Sequence, residues 1–587
     1  MFKLFKNLKG RDWFYIFLMV VFTVLSVGFD LKLPEYISEI TKNLQTDQPD
    51  ISQIVYNGLW MLGCALGCLI TGIIADYFIA TVSASFSLIT RKLLFEKIES
   101  FSFAEIKKFA VDSLITRSTN DVTQVETYLG RGLQLTLKAP LTAVWAIIKI
   151  YNKNWQWSAV TAVAVAILLG IVISLIIRVI PKFKVVQKLT DKVNGLVREN
   201  LNGIRVVRAF NAEKYQEHKF AKTNNSLTEQ QLYNQTKFAV LNPAMDLIMN
   251  TLSITIYILG AVLIFNTPAI ADKINLFADM MVFTSYAAQV IMSFLMLTVV
   301  FMIVPRAQIS ATRINEVLNT KPSIKSGKYI PGKDSTTRGK IEFKDVTFSY
   351  PNAEIPVIKN ITFTANPGET VAIVGSTGSG KSTLINLIPR FYDATSGEIL
   401  IDGVNVKDYD LTALYNKLGY IPQRAVMFDR SVADNLKFGI SAKKKTAETV
   451  AKALEVAQAD FVQKMDKKEK SHIAAGGTNI SGGQKQRLAI ARAIARDPEI
   501  YIFDDSFSAL DYKTDARLRA ELKKQTAGAT SIIVAQRIGT VMHADRIIVL
   551  DHSEMVGCGT HAELMKKCKV YREIAYSQLS KEELENA

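Results

Sequence analysis

Residues Gly375, Ser376, Thr377, Gly378, Ser379, Gly380, Lys381 and Ser382 fit the spacing G-x-x-x-x-G-K-[ST] and run on into Thr383. Glycines so placed let consecutive backbone N–H groups curl around a phosphate without Cβ clashes. A helix opening at Lys381 adds the favourable end of its dipole. Lys381 is expected to bridge the β- and γ-phosphates of a nucleotide, with Ser382 ligating Mg2+. The apolar run Val371–Val374 just before the loop reads as a strand, a context that a merely structural glycine-rich turn would not need. A second element, Ile500-Tyr-Ile-Phe-Asp504-Asp505, reads as a buried strand that carries Asp504 to the magnesium shell.

The elements that must position these residues differ between the two halves of the chain. Short β-rich runs (Ile341–Tyr350, Thr370–Val374, Ile500–Asp504, Ser531–Ala535) alternate with helical stretches, which predicts an α/β domain over 341–587. Residues 320–340 are rich in Lys, Gly, Ser and Pro and read as a solvated linker. Before it, apolar runs long enough to cross a bilayer fall at about 13–35, 54–83, 124–152, 155–182, 237–267 and 276–304. The fold class expected is therefore a membrane α-helical domain of six spans (1–319) fused to an α/β phosphate-loop domain. Segments 84–123 and 183–236 keep helical periodicity with charged faces. The spans should thus continue as helices beyond the bilayer and turn around near Phe103–Asp112 and Ile204–Glu217.

Composition fits that division. Of 587 residues, 49% are hydrophobic and 21% charged, with a mean hydropathy of +0.15, too apolar for a disordered or collagen-like chain. The formal net charge of +16 could serve nucleic acid or the cytoplasmic face of a membrane. Its placement decides: residues 178–222 hold 11 Lys/Arg against 4 Asp/Glu, whereas 30–50 hold 2 basic against 5 acidic. The positive-inside rule puts the long loops and both termini in the cytoplasm, with no nucleic-acid partner expected. The 4 cysteines exclude a disulfide scaffold. Cys64, Cys68, Cys558 and Cys568 lack zinc-ligand spacing and read as small core thiols.

Between the two acidic and glycine-rich elements stands Ile480-Ser481-Gly482-Gly483-Gln484, followed by Lys485-Gln486-Arg487. With the phosphate loop and the Asp504 strand, it makes residues 341–587 resemble an ATP-binding cassette. Further motifs fall in that family's order. Tyr350 is similar to the aromatic that stacks on adenine, Gln423 to the Q-loop glutamine that reaches the metal, and Ser508-Ala509-Leu510-Asp511 to the D-loop. In the membrane half, Leu114–Asp121 and Arg208–Glu213 resemble the intracellular hairpins of ABC exporters. The resemblance covers essentially the whole chain. It implies a half-transporter that dimerises in the cell membrane with its cassette in the cytoplasm. It also implies ATP and Mg2+ bound between one chain's phosphate loop and the signature loop of the other.

Two positions depart from the family pattern. Where a competent cassette carries Glu after the Walker B aspartate, this chain has Asp505, whose carboxylate is withdrawn by roughly 1.3–1.5 Å; misplacements near 1 Å can cost about a hundredfold. The switch histidine is replaced by Gln536, in Ala535-Gln536-Arg537, which cannot accept a proton or become cationic. Both sit at the γ-phosphate end, so this chain's own site is expected to bind ATP and hydrolyse it weakly. The signature Ser481–Gln484 is intact. The expected partner is accordingly a second half-transporter with a competent site, as in heterodimeric bacterial multidrug-type exporters. The stretch Ser471–Gly477 lacks the acidic residue exporters usually carry there.

The expected cargo is a hydrophobic or amphipathic small molecule reached from the lipid bilayer. Met280, Met281, Met292, Met296 and Met302, with Phe283, Tyr286 and Phe294, would suit a surface that re-packs around varied apolar molecules, although ordinary helix packing explains them too. Arg131, Lys138 and Asp246 would face a water-filled cavity, or else snorkel or pair with one another. Alternatives are a lipid or peptide translocase subunit, or a regulatory ATP-binding subunit.

Overall fold

The computed structural model describes residues 1–46, 48–151, 154–332, 338–351, 353–439, 446–508 and 510–579. Residue 152 of the expected third span, 333–337 of the linker, Ala509, and 580–587 of the expected cassette lie outside them. The chain forms two compact units, Met1–Glu99 with Val111–Thr320 and Ser100–Ala110 with Lys321–Ala587.

In the first unit six helical stretches are long and apolar enough to cross a membrane: Gly10–Leu44, Ile51–Glu99, Val111–Tyr151, Trp155–Val179, Glu213–Asn266 and Ile270–Asn319. They coincide with the six expected spans, and the first, second and sixth outrun them at both ends. The 49-residue helix Ile51–Glu99 is about 74 Å long at 1.5 Å per residue, against a hydrocarbon core of about 30 Å. Between the fourth and fifth spans the short helix Ile204–Ala209 makes the expected turn-around. Along the third stretch a π-helical turn, Tyr128–Gly132, links Asn120–Thr127 to Leu133–Tyr151.

Packing in this unit follows the small and aromatic residues. Trp157 and Phe283, both fully buried, lie 5.5 Å apart, and a Cβ on Gly260 would collide with the Met280 sulfur. Two buried or half-buried polar ties fix the start of the third stretch to the end of the sixth. Asp121 accepts from Ser310 Oγ at 2.9 Å and pairs with Arg313 at 3.3 Å, while Arg117 pairs with Glu316 at 2.8 Å. Of the two readings of the sixth span, helix packing holds for Met280, Phe283 and Tyr286, which are buried in the core, while Met281, Met292 and Met302 are exposed. Arg131 and Asp246 are exposed and Lys138 half-buried. No ion pair joins the three among the described residues, so the mutual-pairing alternative is not realised.

The second unit contains strands β1 Ile341–Phe348, β2 Ile358–Ala365, β3 Thr370–Gly375, β4 Ser396–Ile401, β5 Val404–Asn405, β6 Leu418–Ile421, β7 Arg430–Ser431, β8 His472–Ile473, β9 Ile500–Asp504, β10 Thr530–Val534, β11 Arg546–Asp551 and β12 Glu554–Gly559. The main sheet has order β12-β11-β3-β10-β9-β6, and an antiparallel sheet has order β2-β1-β4-β5. Neighbours β11-β3-β10-β9-β6 are parallel and nearly all their residues are buried, so they read as unbroken apolar runs. Cys558 departs from the core-thiol reading. It lies on the antiparallel edge strand β12, where alternate residues face out, and is exposed; Cys64 and Cys568 are buried.

Two segments expected elsewhere belong to this unit. The tip of the first cytoplasmic hairpin, the helix Phe103–Phe109 capped by Ser102 and Glu105, is one of them. Its Phe103 ring lies 4.6 Å from Phe391, and Glu105 accepts from the Ser323 N–H at 3.2 Å. The linker is not wholly solvated either. Gly327 and Tyr329 donate backbone hydrogen bonds of 2.8 Å to Tyr409 and Asp408, and Ser326 donates to Asp410 at 2.9 Å. A buried lysine then ties the antiparallel layer to the main sheet: Lys417 reaches Asp402 at 2.9 Å and Glu499 at 2.5 Å. Lys417→Met strands two carboxylates and is expected to cost about 3 kcal/mol. Thermal unfolding of the full chain should therefore show a lower midpoint, whereas an unchanged midpoint would remove this tie.

Candidate nucleotide site

The phosphate loop leaves the C-terminal end of β3 and feeds the helix Lys381–Asn386. Tight backbone approaches explain two of its glycines. A Cβ on Gly375 would strike the Leu550 carbonyl, and Gly380 has φ +95° with the Val357 oxygen 2.7 Å from where a Cβ would sit. Ser376, Thr377, Gly378 and Ser379 complete the loop between them. Lys381 folds over it, its Nζ donating to the Gly375 and Ser376 carbonyls at 2.9 and 2.7 Å. Burial lowers the Lys381 pKa, and the neighbouring Asp505 and Asp504 oppose that shift.

Two strands away, β9 ends in Asp504, which is buried and accepts from Ser382 Oγ at 2.8 Å. Burial pushes its carboxyl up, the Ser382 hydrogen bond pulls it down, and the Asp505 charge pushes it up again; the net shift is upward. Among the described residues no three His, Cys, Asp or Glu side chains cluster as a metal cage. The donor set instead suits a hard cation completed by phosphate oxygens: a hydroxyl, a carboxylate, and the Gln423 amide on the segment after β6.

Asp505, Gln423 and Gln536 come together as the sequence expected, and the contact between them is specific. Asp505 Oδ2 accepts from Gln536 Nε2 at 2.8 Å and from Gln423 Nε2 at 3.3 Å. The aspartate is 8% exposed with φ +46°, and its N–H bonds the Val534 carbonyl at 2.9 Å. Its carboxylate is thus engaged by two amide donors from its own chain. Gln536 is itself held by Gln578, whose side chain donates to the Gln536 carbonyl and accepts from the Ile538 N–H, both at 2.8 Å. Sequence reading missed Gln578, because a lone glutamine 42 residues downstream carries no motif.

Tyr350 donates to or accepts from Thr383 Oγ1 at 3.0 Å, which anchors the aromatic to the loop. Tyr392 packs edge-on against it at 5.3 Å, and Lys107 of the hairpin tip places its ammonium 5.3 Å from the ring centroid. Neither Tyr392 nor Lys107 was anticipated. The adjacent aromatics in Arg390-Phe391-Tyr392 were the available signal for the first, whereas nothing local marks the second.

The signature residues make no hydrogen bond to this cluster among the described residues, whereas the Oγ of Ser508 in the D-loop donates to the Asp505 carbonyl at 3.0 Å. Ser481 caps the helix Gly482–Arg496, its Oγ accepting from the Gln484 N–H while Gln484 Oε1 accepts from the Ser481 N–H at 2.9 Å. With Gly482 and Gly483 it forms an exposed helix N-terminus, a ready anion site. No hydrogen bond joins Ser481–Gln484 to Gly375–Thr383 among the described residues. Asp511 caps the helix Tyr512–Gln525 through the Thr514 N–H at 3.0 Å.

Known proteins place this geometry. The ABC transporter family matches residues 358–508, and the ABC transporter transmembrane region matches 16–294. An uncharacterized ABC transporter ATP-binding protein of Mycobacterium tuberculosis is 38% identical over 96% of this chain and 95% of its own length. An ATP-dependent lipid A-core flippase of Aromatoleum aromaticum is 32% identical over 84% of this chain and 80% of its own. A solved bacterial Atm1-family ABC exporter with ATP bound shares the fold at TM-score 0.80 and 21% identity, over 97% of this chain and all of that one.

The raised Asp504 carboxyl makes a pH prediction. A divalent cation and a proton compete for it, so cation affinity should fall as pH drops, starting above the usual carboxylate range. Mn2+ binding in the presence of a non-hydrolysable ATP analogue, read by paramagnetic resonance, should show this limb. Asp505→Asn should move the limb to lower pH, and an unmoved limb would mean Asp505 does not bear on Asp504.

Proposed function

The chain belongs to the ABC transporter family, and from that premise we propose that it is the weakly hydrolysing half of a heterodimeric exporter. ATP-dependent export through a multi-pass plasma-membrane protein with a cytoplasmic cassette is common ground with its relatives. The observation that carries this reading is the 2.8 Å bond from Gln536 to Asp505. In this reading Gly375–Thr383 wraps the phosphates, Tyr350 stacks on the base, and Lys381 turns from the loop carbonyls to the γ-phosphate. Mg2+, held by Ser382, Asp504 and Gln423, would neutralise phosphate charge. Asp505 is one methylene short of a water-positioning glutamate, and its carboxylate is already taken by two amides. Gln536 can donate to an oxygen but cannot carry a proton away. Binding energy is retained while the chemical step is slowed.

The intact signature supports a partner of complementary character. An exposed N-terminus at Ser481 with two following glycines suits the γ-phosphate of another chain's ATP. That ATP would sit on a phosphate loop whose own glutamate and histidine are present. ATP binding would bring the cassettes together, and hydrolysis at the partner's site would part them.

For cargo we favour hydrophobic or amphipathic small molecules. A lipid is the second reading, favoured by the 32% identity to a lipid A-core flippase over most of both chains. Transport assays with drug and lipid cargoes in parallel separate the two.

Purified alone, the chain should hydrolyse ATP far more slowly than ordinary exporters. Asp505→Glu alone should restore little, since Gln536 remains. Joined with Gln536→His, it should raise turnover by about tenfold or more, the contribution of a placed proton acceptor. Steady-state phosphate release decides, and full activity of the unmodified chain would overturn the proposal.

A further inference from the structure

At the outer end of the membrane unit is a cavity of about 360 Å³, lined chiefly by the last turns of the first span (Lys32, Glu35, Tyr36, Ser38, Glu39, Lys42) together with Lys149, Val282 and Tyr286. Its size is at the lower end of the range typical of small-ligand sites. The first span enters from the cytoplasm, so about 20 residues bring it to the outer hydrocarbon boundary. Lys32 and the residues beyond it therefore stand at headgroup depth.

Charge inside the cavity is unevenly matched. Lys149 pairs with Glu35 at 2.5 Å and Lys42 with Glu39 at 3.4 Å. Tyr286 donates to the Leu31 carbonyl at 2.9 Å and leans toward Glu35 at 3.4 Å. Lys32 makes no ion pair among the described residues, which leaves one uncompensated positive charge. Ser38 lies one helical turn beyond Glu35. It is 4% exposed, lines the cavity, and its hydroxyl has no hydrogen-bond partner. A buried hydroxyl without a partner is uncommon and is satisfied by whatever polar group enters beside it. The two partly exposed ion pairs are individually weak and can rearrange around a guest at little cost.

We propose that this cavity binds the phosphate of a lipid headgroup from the outer leaflet, with Lys32 supplying the charge and Ser38 Oγ a hydrogen bond. A phosphodiester carries the single negative charge the cavity lacks. Its tetrahedral oxygens can meet an ammonium and a hydroxyl together, and it occurs at this depth of the bilayer. However the two pairs shift, Lys149 and Lys42 balance the charges of Glu35 and Glu39, so the net charge facing the guest is that of Lys32. The site lies on this chain alone and owes nothing to the weakly hydrolysing cassette.

Calorimetric titration of the full chain in dodecyl maltoside, without nucleotide, tests the proposal. The probes are dihexanoylphosphatidylglycerol, dihexanoylglycerol and sn-glycerol 3-phosphate. Saturable binding of the phospholipid is expected, with dihexanoylglycerol failing to bind. Lys32→Gln and Ser38→Ala should each weaken phospholipid binding about tenfold, as loss of a hydrogen bond or charge pair to an anion would. Both variants should keep the unaltered melting midpoint, because Lys32 is exposed and Ser38→Ala removes a hydroxyl that has no partner. Non-saturating uptake, equal affinity for dihexanoylglycerol, or unchanged affinity in both variants would overturn the site. If glycerol 3-phosphate binds as tightly as the phospholipid, a soluble phosphate ester replaces the lipid and the headgroup assignment is overturned.

Discussion

The cassette half of this molecule depends on holding several negative charges at one edge of a parallel sheet. In the proposed reading phosphates would bring charge to the loop after β3, while Asp504 and Asp505 bring it from β9. The compensating parts are one lysine, backbone N–H groups, and side-chain amides. Lys381 lies over the loop, bonded to the Gly375 and Ser376 carbonyls. Asp504 is met by Ser382, and Asp505 by Gln536 and Gln423. That last pairing has a consequence for reactivity. A carboxylate engaged by two amides of its own chain is well placed electrostatically and poorly placed to orient water. In the proposed reading, the same bond that meets the Asp505 carboxylate would also slow the site's chemistry.

The hairpin tip links that edge to the rest of the chain. Residues 100–110 continue from the second span, yet they pack as part of the cassette unit. Their contacts are aromatic and cationic: Phe103 against Phe391, and Lys107 over Tyr350, the ring expected to receive adenine. An occupant of that ring would therefore be felt directly at the tip. The linker residues Ser326–Tyr329 brace the same unit through Asp408–Asp410.

Much of this was legible in the sequence because the chemistry is local. Eight contiguous residues define the phosphate loop, and the apolar run Ile500–Phe503 delivers Asp504. The six spans are legible because the bilayer demands about 20 apolar residues apiece. The two substitutions at Asp505 and Gln536 were visible one residue at a time, though not their hydrogen bond. What escaped depends on distant segments meeting. Lys107 and Tyr350 are 243 positions apart by their numbering, and Gln578 grips a loop that no spacing rule connects to it. Residue types alone left the sixth span open between cargo surface and helix packing, and the burial of Met280, Phe283 and Tyr286 assigns those three to packing. Cys558 shows the reverse case, an apolar-looking residue on an edge strand that faces out.

The identity of the nucleotide held by each subunit during turnover is the most direct test of a weakly hydrolysing site. The complex would be labelled with a photoreactive, base-labelled ATP while it transports. The nucleotide crosslinked to each subunit is then recovered and resolved as ATP or ADP. This chain should carry ATP while its partner carries mostly ADP. Equal proportions of ADP on both subunits would contradict a division of labour between the two sites.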